Sequence, residues 1–220
     1  MDHGSTWHRE ISHSNELTQS TDCIYKAVPS LGRLLRVERL GLAGQFGQMI
    51  KRTHQTDTTV STAIYSPCEL YRYALTRVWD KDGKRVLFIM LNPSKATEQM
   101  NDPTVERCER RARALGFGGF RVVNIFALRE TDPHLMRKAV DPAGPENDAT
   151  LVESTTWADT IICAWGTHGV HRGQGAAVET VLRETGKPLS SLGLTKHGHP
   201  KHPLYISYAQ QPIDWPVGAY

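Results

Sequence analysis

Asn92 and Ser94, Asn124, Thr167 and His168, and the group His197, His199 and His202 are the side chains best suited to chemistry. Each set stands just after an apolar run or inside one. An asparagine amide offers one acceptor and two donors, which matches the paired donor and acceptor on the edge of a nucleobase. Asn124 sits within FRVVNIF (residues 120–126), so its amide needs a partner, either a neighbouring loop or a ligand. Asn92, stiffened by Pro93, could orient a water or a ligand oxygen; the plainer reading is a turn that ends a strand. A histidine at a strand end can donate a hydrogen bond to a developing anion, which stabilises a transition state. His199 and His202 both qualify, and each could equally be a surface or core histidine.

The elements that must hold these residues can be read from periodicity. Residues 86–91 (VLFIML) form a continuous apolar run, the pattern of a strand buried on both faces. Asn92-Pro93-Ser94 breaks it, because proline fixes its own φ and drives the preceding residue out of the helical region. After a polar loop, Asp102-Pro103 reads as a helix cap followed by proline at the first helical position. That helix carries Val105, Cys108, Ala112 and Leu115 on one stripe and ends at Gly116. Its other face holds Arg107, Arg110, Arg111 and Arg113, either a solvated face or a phosphate-facing patch.

Further strands are expected over residues 120–126, 160–165 and 189–194, and helices after Asp132-Pro133, over 146–156 and over 176–184. A strand over residues 71–79, joined to the first buried run through Asp82-Gly83, reads as a hairpin partner on an antiparallel edge. Strands alternating with helices imply a mostly parallel sheet covered on both sides. In such a sheet the polar sets above emerge on one edge, where open α/β folds bind ligands.

Length and composition allow one domain. A formal charge of +3 permits a nucleic-acid partner without requiring one. Residues 1–59 look unlike the rest: the first 22 are rich in His, Ser and Thr with little to bury. Leu31, Leu34, Leu35, Leu42 and Phe46 with Arg33, Arg36 and Arg39 could form a basic amphipathic helix, and an internal start at Met49 is an alternative. The globular pattern is expected over residues 60–220. No apolar stretch has the length of a membrane span, no signal peptide opens the chain, and Cys23, Cys68, Cys108 and Cys163 form no CxxC pair. These features point to reduced thiols and the cytoplasm.

Other site types fit less well. No glycine-rich loop has a phosphate- or dinucleotide-binding pattern. His197, His199 and His202, with His168 or His171, match no standard zinc spacing, so no metal or cofactor is expected, and Ser94 lacks a nucleophile elbow.

Over residues 63–206 the chain resembles the uncharacterised, largely bacterial and phage family known as domain of unknown function 1643. The resemblance rests on LNPSKATEQMNDPT, VVNIFALRETDP, DPAGPEND, CAWGTHG and GLTKHGHPKHPLY. More distantly, the same segments in the same order resemble the uracil-DNA glycosylase superfamily. That resemblance implies a three-layer α/β/α sandwich with a mostly parallel central sheet and an N-glycosidic hydrolase acting on a base in DNA or a nucleotide. It implies that Asn92 positions the attacking water, that Pro93 and Ser94 lie against the substrate, and that Asn124 reads the base. Trp165, Gly166, Thr167 and His168 stand where that superfamily has a Trp-Gly-Ser-His sequence, the last three of them against the substrate. His199 or His202 would steady the leaving base, and Arg107, Arg110 and Arg111 could hold phosphate. The chain departs from the pattern in four respects: Asn92 is not a strong base, the last loop has one extra residue, the first loop lacks an aromatic stacker, and no minor-groove wedge is identifiable. A non-catalytic nucleotide or nucleic-acid binding module and a metal-dependent hydrolase are the alternatives.

Overall fold

The computed structural model describes residues 48–217; the amphipathic pattern at 31–46 and the His/Ser/Thr-rich start lie outside them. Fourteen elements follow one another along the described chain, four strands first, and the strands form one eight-stranded sheet in a mixed α/β fold. The strands are β1 (Ile50–Gln55), β2 (Val60–Tyr65), β3 (Arg72–Val78), β4 (Arg85–Met90), β5 (Gly119–Asn124), β6 (Thr160–Cys163), β7 (Ser190–Ser191) and β8 (Ile213–Asp214). The helices are α1 (Pro103–Ala114), α2 (Pro133–Lys138), α3 (Asn147–Trp157) and α4 (Gln174–Glu184), with 3₁₀ turns at Thr167–Gly173 and Pro203–Tyr205. No described helix is long and apolar enough to cross a membrane.

The order across the sheet is β1-β2-β3-β5-β4-β6-β7-β8. Only its middle is parallel: β4 pairs with β5 and β6, and β6 with β7, while both flanks are antiparallel. The expectation of a mostly parallel sheet therefore holds for the four central strands alone. β4 is buried along nearly its whole length, as its unbroken apolar run requires. Its alternate residues enter separate clusters. Val86, Phe88 and Met90 join Val105, Cys108 and Ala112 of α1; Leu87 and Ile89 join Leu151 of α3 and Val178 and Leu182 of α4.

Two local expectations are corrected. β3 does not pair with β4, because β5 lies between them. The Asp82-Gly83 loop crosses the start of β5, where the Trp79 and Asp80 N–H groups donate to Gly118 O and the Gly118 N–H to Lys84 O. A Cβ on Gly83 would come within 2.8 Å of Gly118 Cα, so the glycine serves close backbone approach rather than a hairpin turn. The sheet also begins before residue 60, with β1, a polar and largely exposed edge strand that carries no buried stripe.

Cys108 and Cys163 are free, fully buried thiols whose pKa values burial pushes up. Cys68 is disulfide-bonded, which corrects the thiol expectation at that position.

The cap of α1 forms as its sequence dictates. Asp102 Oδ1 accepts the Thr104 and Val105 N–H groups, and Oδ2 accepts the Ala96 N–H at 3.4 Å. Asp102→Ala is expected to lower stability by about 1–2 kcal/mol, read by thermal or urea denaturation. A loss within error of zero would show that the first turn satisfies its amides another way.

Candidate functional site

The carboxyl ends of β5, β4 and β6 lie side by side, with β4 and β6 bracketing the point where the strand order reverses. Such a switch point is where open α/β sheets bind ligands. Asn124 is the last residue of β5 and stands in register with Met90 of β4. Asn92 follows β4 by two residues, and Gly166 follows β6 by three. The sheet topology thus brings three of the expected positions to one edge.

The half-buried Asn92 has a fixed amide. Its Nδ2 donates to Glu130 O at 2.7 Å and to Pro93 O at 3.1 Å, which leaves Oδ1 as its acceptor for anything entering the site. Ser94 Oγ reaches Thr131 Oγ1 at 3.4 Å across the same two loops. Glu130 is no free base here, because its Oε1 accepts the Thr131 and Asp132 N–H groups.

Asn124 is 2% exposed, and its Oδ1 has no hydrogen-bond partner among the described residues. Asn147 holds the backbone around it, donating through Nδ2 to the carbonyls of Asn124 and Ile125. No loop donor reaches this oxygen among the described residues. A buried amide oxygen left without a donor costs about 1–3 kcal/mol, so a ligand N–H at this point has much to satisfy.

The two candidate histidines separate clearly. His199 lies in a turn closed by Thr195, whose N–H donates to His199 O and whose Oγ1 accepts the His199 N–H. His202 stands against the β6 end: a Cβ on Gly166 would lie 3.5 Å from His202 Cβ, and the Gly166 N–H donates to Pro200 O at 2.8 Å. Gly166 adopts a φ of 72°, a conformation that favours glycine. His202 Nδ1 accepts the Leu204 N–H at 3.4 Å, so the neutral ring carries its proton on Nε2. Burial holds the imidazole at about 4, opposed by the Asp102 carboxylate and assisted by His168. His202 is therefore a neutral donor at ordinary pH.

Thr167 and His168 are exposed at the rim, where His168 Nδ1 lies 3.4 Å from an Arg137 nitrogen. The α1 arginines do not present one cationic face. Arg110 pairs with Glu106 and Arg113 with Glu109, while Arg107 and Arg111 face the C-terminal segment. Among the described residues no group of three or more His, Cys, Asp or Glu could hold a metal ion.

Sequence reasoning missed two arginines of β3 that hold the loop after Asn92 from beneath. Arg72, 2% exposed, donates to Ala96 O, its Nε without a partner among the described residues, and Arg77 donates to Thr97 O, Glu98 O and Asn101 Oδ1. A strand over these residues was visible, but which face the loop would cover was not. An open groove of about 450 Å³ between the 141–148 segment and α4 contains none of the expected site residues.

Fold and site together define an α/β protein with amide and imidazole groups gathered where the central strands end. The chain belongs to a family described as a protein of unknown function (DUF1643), whose model matches residues 72–204, from β3 through the His202 loop. No curated protein matches it.

Proposed function

We propose that this protein hydrolyses the N-glycosidic bond of a nucleobase, in DNA or in a nucleotide, on a three-layer fold of the uracil-DNA glycosylase type. The observation that carries the reading is the buried, unpartnered Asn124 Oδ1 at the strand edge shared with Asn92 and His202. In this reading Asn124 accepts an N–H of the base and donates to the neighbouring acceptor. Asn92 Oδ1 orients the attacking water, its amide fixed by two carbonyls. His202 donates from Nε2 to the oxygen on which charge grows as the base departs; being neutral already, it needs no proton from solvent.

The test is base release from DNA, including phage DNA with modified bases, and from free nucleosides and nucleotides, read by mass spectrometry. Release is expected to fall at least about 100-fold in Asn92→Ala, Asn124→Ala and His202→Ala proteins. Release that survives both asparagine substitutions would end the proposal. Binding without release would favour the second reading, a nucleobase-binding module, which the absence of an acid at position 92 supports.

Asn124→Leu separates a ligand-reading amide from a structural one. With no protein partner lost at Oδ1, stability is expected to hold or rise by about 1 kcal/mol while ligand release or binding disappears. A loss of about 2 kcal/mol or more in urea denaturation would mark the amide as structural.

A further inference from the structure

We propose that Arg107, supported by Arg111 one turn further along α1, is a positioning residue that sets the place and tautomer of the His202 imidazole. This rests on reading His202 as the donor of the site. Arg107 Nε donates at 3.1 Å to the carbonyl of Pro203, the residue directly after His202, and its Nη2 donates to Ile206 O at 2.7 Å. Arg111 continues the line, with Nη1 on Gln210 O at 2.6 Å and Nη2 on Ile206 O and Ser207 O at 3.2 and 2.8 Å. The Tyr208 ring lies over both guanidinium groups, at 4.7 and 5.6 Å. Residues four apart on a helix share a face, so these two forks form one rigid rack.

The segment on that rack has little other regular structure, only the short turn at Pro203–Tyr205. Its order comes from guanidinium-to-carbonyl bonds, and the first of them falls one residue from His202. Once Pro203 O is fixed, the Leu204 N–H is aimed at His202 Nδ1, and that bond leaves the ring proton on Nε2. The same helix supplies Asp102 at its N-cap, which faces the ring together with His168 of the 167–173 turn. One helix thus carries both the group that places the imidazole and one of the two titratable groups that tune it. Lysine cannot replace Arg107 fully, since an ammonium group lacks the planar fork that spans two carbonyls.

Nitrogen-detected NMR of the imidazole in the full chain tests this without reference to activity. In the natural protein His202 is expected to titrate near 4 with the proton on Nε2. In Arg107→Ala the titration should move up toward the ordinary 6.5 and the tautomer preference should be lost. Arg107→Lys keeps the charge, so a shift there reports the lost fork rather than the lost field, and it decides the matter if Arg107→Ala does not fold. Arg113→Ala, whose guanidinium binds Glu109 and lies over Trp79, should leave His202 unchanged. Natural titration and tautomer in both Arg107 variants would overturn the proposal. Base release adds an independent axis: if it occurs, Arg107→Lys should lower kcat about tenfold with KM held, as for an interaction made only in the transition state. A natural protein that releases no base from any substrate would remove the glycosidase reading and leave the imidazole result standing.

Discussion

His202→Gln is expected to remove about 3 kcal/mol of the stability that the protein loses on acidification from pH 7 to pH 4. The unfolded chain binds a proton at this residue near 6.5, whereas burial holds the folded imidazole at about 4, against the pull of Asp102. Between those values the unfolded state carries the extra proton, so stability falls as pH falls. The contribution is fully present above about 6.5 and gone below about 4. Glutamine does not titrate and keeps an acceptor for the Leu204 N–H, so the two proteins should differ little at pH 7. Carboxylates remote from the ring contribute equally to both curves and cancel in the difference, while the pull of Asp102 on the imidazole is part of the His202 contribution itself. Urea denaturation at half-unit pH steps gives the two curves. Parallel curves would mean that His202 charges in the folded protein as readily as in the unfolded one, and the neutral-donor role would go with it.

The part of the fold that periodicity reveals is the part whose burial is extreme. β4 is an unbroken apolar run because helices cover both its faces, and α1 begins where an aspartate and a proline fix a helix start. The flanks obey weaker rules. β1 buries no stripe, and at Asp82-Gly83 the glycine answers a contact with Gly118 from a strand not yet made. Long-range packing of that kind leaves no local trace. The positions of Asn92 and Asn124 were legible, because a polar residue at the end of a buried strand must be accounted for. What the amides touch was not legible: Glu130 O for one, and no donor among the described residues for the oxygen of the other. Two histidines three residues apart look alike on paper, and they are separated by the turn at Thr195 for one and the packing against Gly166 for the other.

Arg111→Ala is expected to cost about 3 kcal/mol, or a fall of roughly 10 °C in Tm. Four arginines on one helix read as a single charged face, yet Arg111 is 1% exposed and has no carboxylate partner among the described residues. Burying a lone cation is costly, and replacing one by an apolar side chain can be neutral or better where its partners leave as well. Here the partners stay. The carbonyls of Ile206, Ser207 and Gln210 belong to a segment with little regular structure, and without Arg111 they lose a shared donor while Tyr208 loses a stacking surface. Arg111→Met, which keeps the stem and drops the charge, should therefore fall within about 1 kcal/mol of Arg111→Ala. Arg110→Ala should leave Tm unchanged, since the exposed Arg110 makes a surface pair with the half-buried Glu106. Calorimetry on the three proteins ranks the terms directly. A methionine variant as stable as the natural protein would show that desolvation of the guanidinium cancels its three carbonyl bonds; α1 would then hold the C-terminal segment by packing alone, and the rack under His202 would reduce to Arg107.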